Sequence, residues 1–159
     1  MILNYIPKKK ILIDTASIYF GENRESVRNK IEETFKEDNQ IIETGTLNLD
    51  NIYIRRDIYE YMDSTESYFF LSYDNDDSLI EIEVHKCTQI KVLDIIFDFN
   101  TNLNSITSQL SKYSIVENKS KGEIFLKDIN ILLMDKEHMG GAGNTLGYFY
   151  CASDVSHLK

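Results

Sequence analysis

Helical spacing occurs twice in this 159-residue chain, and each time four strand-like runs follow it. That order confines the chain to mixed folds with few helices and much sheet. In the first helix Asn23 is the N-cap, and Val27, Ile31 and Phe35 recur at i, i+4 and i+8. In the second, Asn102 takes the cap, and Leu103, Ile106, Leu110 and Tyr113 form the stripe. Each helix spans about three turns with a single apolar stripe, so each must pack by one face. Strand-like runs precede the helices at Ile11–Phe20 and Ile90–Phe99. Four follow the first helix, at Gln40–Thr44, Ile52–Met62, Tyr68–Tyr73 and Leu79–Lys86. Four follow the second, at Ile115–Asn118, Glu123–Lys127, Ile129–Met134 and Leu146–Ala152.

The repeated order suggests an internal duplication, with one copy over about 11–87 and the other over about 90–152 of a single domain, 1–159. A shift of 79 places Phe20 on Phe99, Asn23 on Asn102, Ser26 on Ser105, Val27 on Ile106 and Ile31 on Leu110. A shift of 61 places Leu71 on Leu132 and Asp74 on Asp135; after a longer loop Leu79 falls on Leu146 and Val84 on Cys151. The expected fold is α+β: two tandem helix-plus-four-strand units forming one mainly antiparallel sheet, with both helices on one face. The other face is then left to solvent or a partner.

This tandem pattern resembles the β-lactamase inhibitor protein architecture. The opening Phe20-Gly21, Asn23 and Ser26-Val27-Arg28 is similar to the helix start of small outer-membrane assembly lipoproteins of that fold. It also resembles small cytosolic bacterial immunity proteins of polymorphic toxin systems. The resemblance implies a binding role, with a protein toxin as partner.

Charge narrows the partners. The chain carries 26 acids against 17 bases, a net −9, all of it in residues 1–98, which hold 20 acids and 11 bases; residues 99–159 hold six of each. Residues 57–85 hold nine acids and no Lys or Arg. Such a field repels nucleic acid and anionic membrane and attracts cationic proteins. The basic run Lys8-Lys9-Lys10 follows a short apolar patch instead of preceding a longer one, so no secretory signal is expected. No apolar stretch reaches the roughly 20 residues of a membrane span. With two cysteines, a reducing cytoplasmic home with free thiols is expected.

Chemistry-bearing motifs are sparse. His85, Cys87, His138, Cys151 and His157 lack the spacing of a zinc site. There is no Gly-x-Ser-x-Gly elbow, and His85 is the one sequence neighbour that could activate Cys87. Asp74-Asn75-Asp76-Asp77-Ser78 resembles a calcium loop, but Leu79 and His85 occupy the places of the required Gly and Glu, so a polar hairpin turn is expected. Gly140-Gly141-Ala142-Gly143-Asn144-Thr145 lacks the Lys and helix of a phosphate loop and reads as a hairpin insertion, alternatively a partner-binding tip. No catalytic residue, metal or cofactor is expected.

The most informative alternation lies on the last strand of each copy. Ile80, Ile82 and Val84 alternate with Glu81, Glu83 and His85; by the repeat, Phe149 and Cys151 face the helices while Tyr148 and Tyr150 face away. Tyr59, Tyr61 and Tyr73 lie in neighbouring strands, with a bulge near Arg55-Arg56 obscuring their phase. Tyrosine mixed with carboxylate suits a cationic, partly apolar protein surface. The candidate partner-binding set is therefore Asp57, Tyr59, Tyr61, Glu81, Glu83, Tyr148 and Tyr150. The favoured reading is an immunity protein that occludes a cognate basic toxin, a nuclease among the candidates. An adaptor module of the same fold, and an enzyme or small-ligand binder using the helix-free face, which right-handed twist should make saddle-shaped or concave, are the alternatives. A chain with no metal-ligand spacing should keep its melting temperature in a strong chelator; a midpoint that drops on chelation would overturn this.

Overall fold

Two antiparallel meanders, joined edge to edge, build most of the molecule. The structure, a computed structural model, describes residues 1–42, 52–60 and 67–156. The chain opens with β1 (Ile2–Ile6), β2 (Lys10–Ile13) and β3 (Ala16–Tyr19), followed by α1 (Arg24–Ile31). The first meander is β4 (Lys36–Ile42), β5 (Ile52–Glu60), β6 (Tyr68–Tyr73) and β7 (Leu79–Lys86). Then come β8 (Gln89–Val92), β9 (Ile95–Phe97) and α2 (Leu103–Leu110). The second meander is β10 (Val116–Ser120), β11 (Glu123–Leu126), β12 (Ile131–Asp135) and β13 (Leu146–Ala152).

The eight meander strands form one antiparallel sheet in the order β10-β11-β12-β13-β7-β6-β5-β4. Its seam pairs β13 with β7, Phe149 opposite Val84, Tyr150 opposite Glu83 and Cys151 opposite Ile82. The expectation of a single sheet is corrected by a second, five-stranded sheet, β3-β2-β1-β8-β9. The runs Ile11–Phe20 and Ile90–Phe99 are hairpins instead of single strands, each turning on a left-handed residue, Asp14 (φ 50°) and Leu93 (φ 57°). β1 ties them together, antiparallel to β2 and parallel to β8. Its alternation places Leu3 and Tyr5 inside, fully buried, which a reading focused on the adjacent lysines overlooks.

Both helices begin where the spacing places them. Asn23 Oδ1 accepts from the Glu25 amide at 3.0 Å, and Asn102 Oδ1 from the Asn104 amide at 2.9 Å. Each helix has only eight residues, so the outermost stripe residues, Phe35 and Tyr113, fall beyond the helices. Val27 and Ile31 of α1 and Leu103, Ile106 and Leu110 of α2 enter one apolar core with Leu3, Tyr5 and Ile11 of the small sheet and Leu71, Ile82, Val84 and Phe149 of the large one. Tyr5 crosses between the sheets, its hydroxyl donating to the Ile129 carbonyl at 2.9 Å.

One polar cluster interrupts this core. Asp57 of β5 is fully buried and Arg24 of α1 is 5% exposed. Arg24 donates to Asp57 Oδ1 from Nε (3.1 Å) and Nη2 (2.7 Å), and Arg28 donates to Oδ2 from Nε at 2.8 Å. Burial works to raise the Asp57 carboxyl, but the hydrogen bonds from Arg28 and Arg24 overcome it and hold the group below its ordinary value. A depressed carboxyl stabilises the fold above its unfolded value, about 3.9, and that contribution disappears as pH falls through the depressed one. Asp57→Asn leaves two arginines without their carboxylate and should destabilise by about 3–5 kcal/mol at pH 7. The difference from wild type should close as the pH drops below the depressed value; denaturant melts across pH 2–7 check this, and a gap unchanged at low pH would refute it.

Candidate interaction face

The side of the large sheet turned away from the core is the candidate site. Register carries one line of outward residues across six strands: Phe125, Leu132, Tyr150, Glu83, Phe70 and Ile58. A neighbouring line runs Ala152, Glu81, Ser72, Arg56 and Asp38. The seam thus brings together four of the seven residues expected from sequence: Glu81, Glu83, Tyr148 and Tyr150. The Tyr148 hydroxyl donates to Glu83 Oε2 at 3.1 Å, and the Tyr150 hydroxyl to Glu81 Oε2 at 2.7 Å. These cross-strand diagonals lock the rings over the seam.

The other expected residues do not join them. Asp57 lies in the arginine cluster inside the molecule. Tyr59 is fully buried and stacked on Phe69, ring centroids 4.9 Å apart, with Phe35 at 5.9 Å. Both face the core because β5 presents its odd-numbered residues inward, as the pairs Asp57–Leu71 and Tyr59–Phe69 require. Tyr73 is likewise buried, at 3% exposure. Tyr61 lies outside the described residues. The acidity of residues 57–85 is also tempered by bases from elsewhere in the first half, since Arg24 and Arg28 bind Asp57 and Arg55 binds Asp77.

Tyr68, Phe70 and Arg56 belong to the face but escape a reading of the sequence. His85, Phe70, Tyr68 and Tyr148 form an aromatic group, with His85 4.9 Å from Phe70 and 5.2 Å from both Tyr68 and Tyr148. Arg56 lies over the Phe70 ring at 4.9 Å while its Nε donates to Asp38 at 2.7 Å. The run Tyr68-Phe69-Phe70-Leu71 is apolar on both faces, so alternation gives no phase there, and bulges at Tyr68/Phe69 and Ser72/Tyr73 shift it further. Beyond Tyr150, the chain's own Val155 packs with Phe125, Leu132 and Ala152 and covers that end of the face.

Electrostatics set the protonation states. Burial, then the charge of Glu81, raises the Glu83 carboxyl above its ordinary value, against the Tyr148 hydrogen bond and Arg56. Burial and the adjacent carboxylates push Tyr148 and Tyr150 upward, so both stay protonated donors. Burial, then Arg56, lowers His85, leaving a neutral imidazole at pH 7. The remaining motifs resolve simply. Asp74 Oδ1 accepts from its own loop amides, Asp76 at 3.0 Å and Ser78 at 2.8 Å, as a polar turn does. Burial pushes the Cys87 thiol up to about 12, and Cys151 sits in the core. Among the described residues no three His, Cys, Asp or Glu side chains cluster as metal ligands.

A raised carboxyl penalises the folded state once pH exceeds the unfolded value, about 4.3, and leaves it untouched below. Glu83→Gln keeps an acceptor for Tyr148 and removes the charge. Its melting temperature should therefore exceed wild type at pH 7 and match it near pH 3.5; a variant less stable at pH 7 would show that Glu83 is favourably ionised. No family model matches the sequence, and neither a curated protein nor a solved structure does, so the chemistry of this face carries the functional reading.

Proposed function

We propose that the protein is an immunity-type inhibitor, which binds a cationic protein toxin through the outward face of the large sheet and occludes it. The observation that carries this reading is the seam group: two half-buried carboxylates held by two tyrosines, flanked by Phe70 and His85, on the sheet face turned away from the shared apolar core. Tyrosine and aromatic area supply anchors, and the carboxylates supply complementarity to basic residues. A net charge of −9 hastens capture of a basic partner, which an inhibitor of a lethal protein requires.

We further infer that the two halves are copies of one unit with the helices on the same side of the sheet. A shift of 79 equates the left-handed turn residues Asp14 and Leu93 as well as the caps. Equivalent backbone bonds follow: Leu79 N to Glu22 O and Leu146 N to Thr101 O, both from the last strand to the turn before the helix. In the third strand of each meander the correspondence that preserves faces is 62, not 61. It pairs inward Leu71 with Leu133, whereas Leu132 points outward, and it superposes the bulges at Ser72/Tyr73 and Met134/Asp135.

The test is protection. Expressed with the product of the adjacent gene, the protein should rescue a host that this product alone kills. Glu81→Lys combined with Glu83→Lys should abolish rescue and raise Kd by at least about 30-fold (~2 kcal/mol or more) while circular dichroism stays unchanged. Wild-type binding should weaken toward 0.5 M salt, where screening acts within roughly 4 Å. Rescue undiminished by the double reversal would refute the reading.

A further inference from the structure

The outward face is not flat. Where the line Ala152, Glu81, Ser72, Arg56 crosses it, two small side chains flank Glu81, while the next line holds Leu132, Tyr150, Phe70 and Ile58. The step in side-chain size leaves a groove of about 410 Å³, lined by Ile54, Arg56, Ser72, Ile80, Glu81 and Glu83 among others. Ser72, its floor, is 9% exposed, and its hydroxyl makes no hydrogen bond among the described residues. The hydroxyl lines the groove and can donate or accept there.

The charges around the groove are unequal in the same sense. Arg56 is balanced by Asp38 at 2.7 Å, and Arg55 by Asp77. Glu81 and Glu83 have tyrosine hydroxyls, but among the described residues no Lys or Arg nitrogen lies within 4.0 Å of either carboxylate. The nearest basic group is His85 Nε2, 3.9 Å from Glu83 and held neutral. The groove therefore carries two half-buried carboxylates with no Lys or Arg paired to them among the described residues, since Arg56 in its lining is engaged by Asp38, beside the apolar walls of Ile54 and Ile80.

We propose that this groove is a socket for one cationic side chain, a lysine or arginine presented by the partner protein, its stem along Ile54 and Ile80, its charge at Glu81 and Glu83, and a donor shared with Ser72 Oγ. This inference rests on the reading of the face as a binding surface for a basic protein. It adds the point of insertion. An aliphatic stem with a charged end fits walls that are apolar and an end that is anionic. A neutral polar side chain leaves the carboxylates uncompensated, and an acidic one is repelled.

The socket can be tested without the partner, by titrating the full-length protein with Nα-acetyl-arginine amide, Nα-acetyl-lysine amide and the neutral isostere Nα-acetyl-citrulline amide, followed by amide chemical shifts. Saturable binding of a cationic probe with Kd in the millimolar range (about 1–10 mM) is expected, with shifts confined to Ser72 and Ile80–Glu83. The stronger of the two cationic probes identifies the guest. Citrulline should bind at least tenfold more weakly, and Glu81→Gln with Glu83→Gln should remove binding of all three. Ser72→Leu, which fills the groove at constant charge, should also remove it; Ser72→Ala, which keeps the space and loses the hydroxyl, should weaken it about threefold and serves if the leucine variant misfolds. Shifts spread over all acidic surface, or equal in Ser72→Leu, would overturn the socket in favour of diffuse attraction. Citrulline binding as well as arginine would overturn its cationic character. Failure of the two readings is separable. If Ser72→Leu binds the toxin at wild-type affinity while the Lys double reversal does not, the face stands and the socket falls. If the socket takes arginine yet the double reversal still protects, the socket stands and toxin occlusion falls.

Discussion

The pairing of β13 with β7 is the interaction on which the molecule depends. It joins strands 65 to 71 residues apart, as in Phe149 opposite Val84 and Ala152 opposite Glu81. Without it two four-stranded meanders would each expose an edge, a template for aggregation. Closing so long a loop has a large entropic cost, which must be met by what the seam buries. Its inner side supplies Ile82, Val84, Phe149 and Cys151, all without solvent exposure. Its outer side carries the tyrosine–carboxylate pairs. The same four ladder positions thus stabilise the core and assemble the face, because side chains alternate along a strand.

The halves solve the same packing problem differently. Where α2 meets its meander, Leu103 and Ile124 share the apolar core. At the corresponding places of the first half stand Arg24 and Asp57, joined by Arg28. Buried ion clusters seldom stabilise more than well-packed apolar side chains of similar volume, because desolvation offsets much of the attraction. What this one adds is geometry. Arg24 also donates to the Arg56 carbonyl at 2.9 Å and to Asn39 at 3.0 Å, so the helix is fixed against both outer strands. Directional bonds of this kind fix the position of β5, from which Arg56 projects onto the outward face.

Much of this was legible in the letters, and the exceptions share a cause. Alternation over Ile82–His85 and Tyr148–Cys151 discloses their faces, so Glu81, Glu83, Tyr148 and Tyr150 are found together. Ile80, which the same alternation sets inward, lies on the outward groove instead, because the bulge at Ser72/Tyr73 gives the core position to Leu79. Asparagine caps mark both helix starts. Phase is lost where both faces are buried: Tyr68-Phe69-Phe70-Leu71 offers no polar residue to orient it, and β5 carries a buried aspartate among its inward residues. Asp57 reads as surface acid because its compensating arginines lie 29 and 33 residues away. A one-residue error in aligning the third strands reverses their faces, as Leu132 and Leu133 show. The hairpin nature of Ile11–Phe20 turns on Asp14 in a left-handed conformation, and its counterpart turns on Leu93, a residue type that signals no turn.

The outward face is energetically poised. Two carboxylates on one strand, half-buried and two residues apart, repel each other, and burial raises Glu83 further. Their only hydrogen-bonding partners among the described residues are neutral hydroxyls, which satisfy lone pairs without cancelling charge. A surface under selection for stability alone would set a lysine opposite such a pair, as β4 sets Asp38 opposite Arg56. The seam instead sets Tyr150 opposite Glu83 and Ala152 opposite Glu81, so no base stands opposite either carboxylate across it. A cation that arrives there relieves the repulsion and the desolvation together, so the affinity it gains includes strain that the free protein already holds. On the proposed binding role, the tyrosines hold the carboxylates in place beforehand, which lowers the ordering cost of binding.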